Sequence, residues 1–76
     1  MLDTILLEER IEMSGLKKSY LAEKCGLSRV AFWNKVRGRG YFNAREIKIL
    51  CKELGITKLT EKERIFFANE VPKNGD

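Results

Sequence analysis

Nine of the chain's fifteen basic side chains lie between residues 17 and 48, and this concentration of positive charge is its strongest chemical signal. Only two acidic residues, Glu23 and Glu46, share the segment, so nine positive charges minus two negative ones leave it at +7. The remaining 44 residues carry six basic and nine acidic side chains, a net charge of −3. A charge run is often only a solvated face, but cations gathered in one segment also attract a polyanion. Nucleic acid is therefore the first partner class to consider.

Catalytic and metal-bound chemistry finds little support in the composition. The chain has no histidine, which removes the commonest metal ligand and the side chain most used for acid–base catalysis at neutral pH. Cys25 and Cys51 are 26 residues apart, a separation that matches no zinc motif, and we expect both to fill the core as small apolar side chains. We therefore expect no enzyme activity, no cofactor, no metal and no small-molecule substrate.

Length and composition indicate one small folded domain. The chain has 76 residues, of which 43% are hydrophobic and 34% charged. It contains no apolar run of about 18 residues, and its first ten residues are acidic on both sides of a short apolar patch, unlike a signal peptide. Two cysteines without a dense disulfide framework fit a reducing compartment. We expect a cytoplasmic protein that does not interact with a membrane.

Helical periodicity and helix-ending glycines dominate the pattern, so we predict an all-α domain over residues 1–70 and a flexible tail over 71–76. Three helices are predicted over residues 4–14, 18–25 and 29–37. Asn43 and Glu46 form a capping box that opens a fourth helix, which Gly55 ends. Residues 60–63 have the pattern of a second capping box, which is predicted to open a fifth helix that runs to about Asn69.

Two short helices joined by a tight turn are predicted between residues 21 and 36. Ala22 is small where the helices would cross, Gly26 permits a left-handed turn residue, and Leu27 is placed to fill the corner. Ser28 is placed to cap the second helix of the pair. The inner face that the two helices share is predicted to consist of Leu21, Phe32 and Val36. This combination is typical of a helix-turn-helix.

With these features the chain resembles the helix-turn-helix family of phage repressors and Cro proteins, whose domains are five-helix bundles of this length. The matching pieces occur in the family's order at residues 26–29, 35–38, 46–57 and 65–67. The resemblance implies a compact, lambda-repressor-like five-helix bundle in a bacterial host cell. It also implies a sequence-specific transcriptional regulator that binds a palindromic double-stranded DNA operator as a weak homodimer. The chain departs from many relatives at Lys18, where they carry Gln, and at Lys35, where they carry an aliphatic residue.

Periodicity separates the residues of the third helix that would face DNA from those that would face the core. At 100° per residue, inward Phe32 and Val36 place the opposite face at positions 30, 33, 34 and 37. The resemblance implies that this face reads bases in the major groove, with Asn34 suited to adenine and Arg37 to guanine or a phosphate. The predicted base-reading residues are Arg29, Val30, Trp33, Asn34 and Arg37. The predicted phosphate-contacting residues are Lys17, Lys18, Ser28, Lys35 and Arg39.

The sequence leaves two structural assignments open, the role of Trp33 and the position of the dimer interface. Trp33 either contacts DNA or packs against the neighbouring loop that carries Tyr41 and Phe42. Phe66 and Phe67 point about 100° apart on a helix, so they cannot both face one core stripe, and we predict a dimer interface there. The alternative dimer surface is the loop over residues 58–60.

The alternative function is a protein-interaction module of the same fold, such as an antitoxin or inhibitor, that binds through the acidic outer segment and the fifth helix.

Overall fold

Helices account for most of residues 2–67, the part of the chain that the computed structural model describes. Within that range the chain forms no strand. The helices are α1 (Thr4–Ser14), α2 (Lys18–Cys25), α3 (Arg29–Val36), α4 (Ala44–Leu54) and α5 (Leu59–Phe66). None of them is long and apolar enough to cross a bilayer. The prediction of an all-helical domain with five helices is confirmed for this part of the chain.

The first four helices follow the predicted bounds almost to the residue. α1 and α2 end at Gly15 and Gly26, each with a φ of 73°. α4 begins at Ala44 with the predicted capping box, in which the side chains of Asn43 and Glu46 each accept a hydrogen bond from the other's backbone N–H. α3 is one residue shorter than predicted, because Arg37 has left the helical conformation and caps the helix from outside.

The start of α5 contradicts the predicted capping box over residues 60–63. The helix begins at Leu59, and the backbone N–H of Lys62 donates to the carbonyl of Lys58 at 3.0 Å. Lys58 is therefore the residue that precedes the helix, and Thr60 already lies inside the first turn, where its hydroxyl cannot act as the cap. α5 ends at Phe66. Asn69 and the predicted boundary between domain and tail lie outside the described residues.

The core is built around the inner face of α3. Phe32 and Val36 are fully buried, and α4 adds a buried stripe of Ile47, Leu50, Cys51 and Leu54. The ring of Phe42, in the loop between α3 and α4, packs edge-on against Phe32 with 6.0 Å between the ring centroids. The same ring packs edge-on against Phe66 of α5, at 6.2 Å. The inner side of α3 is thus held by aromatic contacts, and this fixes which side of the helix faces outward.

Hydrogen bonds define the turn between α2 and α3. The N–H groups of Gly26 and Leu27 donate to the carbonyls of Glu23 and Ala22, at 3.0 and 2.9 Å. This is the Schellman pattern, and it requires the left-handed conformation that glycine adopts without strain. Leu27 packs against the core, and Ser28 Oγ accepts the N–H of Ala31 at 3.0 Å to open α3. Both ends of the turn are therefore fixed by local sequence, as predicted.

Candidate nucleic-acid interface

The outer face of α3 carries a set of exposed side chains able to contact base edges. Val30 is 72% exposed, and Asn34 lies beside it on the exposed side of the helix. Arg29 at the first position and Arg37 just past the last are also exposed. Four of the five predicted base-reading residues are thus accessible to a ligand, while Phe32 on the opposite face is fully buried.

Trp33, the fifth of these residues, is partly buried and packs against the core. The ammonium of Lys18, at the start of α2, lies 4.1 Å from the centroid of the indole ring. The guanidinium of Arg37 lies 5.9 Å from the same ring. A cation over an indole face is worth about 0.5–1 kcal/mol at an exposed site. Trp33 therefore brings together Lys18 of α2 and Arg37, the residue that follows α3, in one unit, which we call the Trp33 cluster (Lys18, Trp33 and Arg37).

The loop offered as an alternative neighbour of Trp33 is engaged elsewhere. Tyr41 is 90% exposed, and the ring of Phe42 packs between Phe32 and Phe66. The cations that cover Trp33 come instead from Lys18 and Arg37. The sequence could not show this, because Lys18 and Trp33 are 15 positions apart on different helices.

Further cations lie close in sequence to the members of the Trp33 cluster. Lys17 is exposed next to Lys18 at the N-terminus of α2, and Arg39 is exposed two residues after Arg37. The backbone of Arg39 is fixed, because its N–H donates to the carbonyl of Asn34 at 2.8 Å. Ser28 is exposed too, and its hydroxyl can still donate a proton while its oxygen caps α3. Four of the five predicted phosphate-contacting residues are therefore available on the surface.

Lys35 is the exception among the predicted phosphate contacts. Its ammonium lies 2.9 Å from Oε1 of Glu46, and the two side chains are only 23% and 5% exposed. It also lies 6.0 Å from the centroid of the Phe42 ring. The charge of Lys35 is therefore paired within the protein, so the predicted phosphate contact would require this ion pair to open. Sequence spacing identified the capping role of Glu46 but gave no sign of this second partner.

The carboxylate of Glu46 accepts two hydrogen bonds at one oxygen. The N–H of Asn43 donates to Oε1 at 3.0 Å, and Lys35 Nζ donates at 2.9 Å. Burial disfavours the charged carboxylate, but these two donors and the nearby cations Lys35 and Arg45 outweigh that cost, so the pKa of Glu46 lies below its usual value. The group is therefore ionised in the folded protein at neutral pH.

This lowered pKa predicts a pH dependence of stability. A carboxyl whose pKa is lower in the folded state stabilises the fold above its unfolded value, about 4.3, and the contribution is lost as the pH falls through the folded value. We expect the urea midpoint of the wild type to fall more steeply below about pH 4.5 than that of Glu46→Gln. Glu8→Gln, which removes an exposed carboxyl from α1, is the matched control. Parallel curves for wild type and Glu46→Gln would contradict the ion pair.

The first turn of α4 holds both helices of the pair. Glu46 forms an ion pair with Lys35 of α3. The neighbouring Arg45 donates from Nη1 to the carbonyl of Cys25 at the end of α2, at 3.3 Å. The cap of α4 is thus also a clamp on α2 and α3, and we call Arg45 and Glu46 the α4 clamp. In the sequence, Arg45 lies between the two capping residues, and no local pattern indicates its contact with α2.

The predicted dimer residues differ in accessibility. Phe66 is only 6% exposed and belongs to the core, so it offers almost no surface to a second copy. Phe67 is half-buried and packs against the core. In the alternative loop, Leu59 is 66% exposed.

The two cysteines are not placed for thiol reactivity, and the described residues form no metal site. Cys25 and Cys51 are buried, as predicted, and burial raises the pKa of both thiols. The thiols are therefore held in the neutral form, which is a poor nucleophile. Over residues 2–67, no group of three or more His, Cys, Asp or Glu side chains is arranged to hold a metal ion.

No family model, no curated protein and no solved structure matches this chain. A functional assignment must therefore rest on the geometry and charge of the chain's own residues.

Proposed function

We propose that the chain is a sequence-specific DNA-binding transcriptional regulator, a helix-turn-helix protein of the lambda-repressor type, acting without a cofactor in the bacterial cytoplasm. The observation that carries the proposal is the exposed outer face of α3, where Val30, Asn34 and Arg37 lie together inside the segment of net charge +7. An exposed amide and guanidinium on one rigid helix are the groups that read base edges in the major groove.

In the proposed complex, some exposed residues contact base edges, and others, which we call the anchors, contact the phosphate backbone. Asn34 pairs with adenine, Arg37 with guanine or a phosphate, and Val30 packs on a thymine methyl group. Arg29 reaches a base or a phosphate from the flank of α3. The anchors, which hold the phosphate backbone, are Lys17, Lys18, Ser28 and Arg39.

Trp33 is proposed to act mainly by positioning two cations rather than by reading a base. Because it is half-buried, its indole offers DNA an edge rather than a full ring. Its larger contribution is to hold Lys18 and Arg37 in position before DNA arrives, so that less side-chain entropy is lost on binding.

The operator would be a palindrome bound by a weak homodimer. One domain of this kind contacts one half-site, and two recognition helices about 34 Å apart match one turn of DNA. Since Phe66 is buried, the proposed dimer surface consists of the exposed Leu59 and the accessible edge of Phe67. A contact this small would keep the protein largely monomeric away from DNA.

Salt titration tests the proposal. Three to five basic side chains at phosphates, depending on whether Arg29 and Arg37 contact a base or a phosphate, should give a slope of roughly −3 to −4.5 for log K against log salt, at about −0.9 per contact. Binding to a 20-base-pair duplex of mixed sequence, measured by fluorescence anisotropy at several salt concentrations, gives this slope. Affinity that does not change with salt would refute DNA binding.

One observation favours the alternative of a protein-interaction module. On α1, Ile5 and Met13 are 69% and 76% exposed, and the exposed carboxylates of Glu8, Glu9 and Glu12 lie between them along the helix. Exposed apolar side chains with carboxylates between them suit a basic protein partner. This alternative predicts no salt-dependent DNA binding, so the same titration separates the two functions.

A further inference from the structure

A buried carboxylate neutralises one cation of the most basic segment. Lys35 lies between Asn34 and Val36 on α3, yet its ammonium is directed to Glu46 rather than to solvent. The stem of Lys35 lies along the loop that follows α3, since a Cβ added at Gly40 would lie 3.5 Å from its Cγ. Both the loop and the carboxylate therefore hold this side chain against the protein.

The position of Lys35 makes this restraint consequential for DNA binding. With Phe32 pointing into the core, Lys35 lies about 60° to one side of it, on the flank of α3 rather than on its buried face. Its side chain keeps 23% of its surface exposed. A lysine stem is long enough to turn from such a flank toward the phosphates beside the groove once its acidic partner is gone.

We propose that Glu46 is an affinity-limiting residue, which lowers the affinity for DNA of any sequence by holding Lys35 away from the phosphates. The inference rests on the proposed DNA-binding function. Phosphate contacts strengthen binding to every sequence alike, whereas base contacts on the outer face of α3 distinguish one sequence from another. Withholding one cation from the phosphates therefore weakens binding to operator and random DNA by the same factor, without altering a base-reading side chain. Glu46 acts through Lys35 and does not touch DNA.

Three variants test the inference on a mixed-sequence duplex. Glu46→Gln retains an oxygen that can accept the Asn43 N–H in the capping box but removes the charge that holds Lys35. We expect its salt slope to steepen by about 0.9 and its affinity at 0.1 M salt to rise roughly three- to eightfold. Lys35→Met should keep the wild-type slope, because Lys35 makes no phosphate contact while Glu46 holds it. The double variant should return to the wild-type slope.

Two control variants distinguish the release of Lys35 from a general effect of net charge. Lys18→Met removes an exposed cation and should make the slope shallower by about 0.9. Glu8→Gln changes the net charge by the same amount as Glu46→Gln and measures the effect of overall charge alone. Circular dichroism and urea unfolding first establish that each variant is folded. If Glu46→Gln does not fold, Lys35→Met decides: an unchanged slope supports the inference, and a slope as shallow as that of Lys18→Met overturns it.

The failure of the inference differs from the failure of the proposed function. If the wild type binds with the expected salt slope but Glu46→Gln has the wild-type slope, the inference is wrong and the DNA-binding function stands. If the wild type shows no salt-dependent binding, both are wrong.

Discussion

Replacing Phe32 by alanine should destabilise the fold by about 3–5 kcal/mol, the largest effect of any single change considered for this chain. The side chain is fully buried, and its ring packs against Phe42 at 6.0 Å. Its removal leaves a cavity and takes away the contact that fixes the inner face of α3. A domain of this size has roughly 4–11 kcal/mol of stability, so at least about a quarter of it, and at the lower end all of it, would be lost.

Urea unfolding followed by circular dichroism measures this loss. Tyr41→Ala is the matched control, because it also removes an aromatic ring but from a side chain that is 90% exposed, and we expect a change within about 0.5 kcal/mol. Equal destabilisation by the two variants would show that the ring of Phe32 does not organise the core. A stable Phe32→Ala protein that still binds DNA normally would show that the outer face of α3 is held in place by other contacts.

Asn34→Ala and Arg37→Ala should each weaken binding to the cognate operator by about 1–3 kcal/mol, with a much smaller loss on random DNA. Both side chains are exposed on the face of α3 opposite the buried Phe32. Neither is expected to alter folding. Arg37 also contacts Trp33, so its replacement should in addition loosen the Trp33 cluster.

The readout is the ratio of operator affinity to random-duplex affinity at one salt concentration. Lys17→Ala is the control, since this exposed cation before α2 is expected to contact a phosphate and to weaken both affinities equally. Asn34→Ala should change the ratio and Lys17→Ala should not. If Asn34→Ala lowers both affinities by the same factor, Asn34 belongs with the phosphate contacts instead.

Local sequence carried enough information to predict most of the helices and the inner face of α3. Helix ends at Gly26 and Gly55, the cap at Ser28 and the capping box of Asn43 and Glu46 depend on residues within four positions of one another. Such short-range hydrogen bonds can be predicted from the types of neighbouring residues. The 3.6-residue period then identified which side of α3 would be buried.

Contacts between distant residues could not be predicted in the same way. The ion pair of Lys35 with Glu46 spans 11 positions, and the contact of Arg45 with the carbonyl of Cys25 spans 20. Both depend on how α4 packs on the helix pair, which a single sequence does not encode locally. The predicted start of α5 is also wrong: residues 60–63 have the pattern of a capping box, but the helix begins two residues earlier than that box implies, at Leu59.

Selection of bound sequences from a pool of random DNA duplexes tests the central claim most directly, namely that the outer face of α3 reads specific bases. The wild type should enrich one motif, arranged as two inverted half-sites about 10 base pairs apart from centre to centre, as a dimer on one turn of DNA requires. Asn34→Ala should lose the preference at one position of each half-site. A pool that stays random after repeated rounds, although the protein is folded and binds DNA, would contradict sequence-specific recognition by this chain.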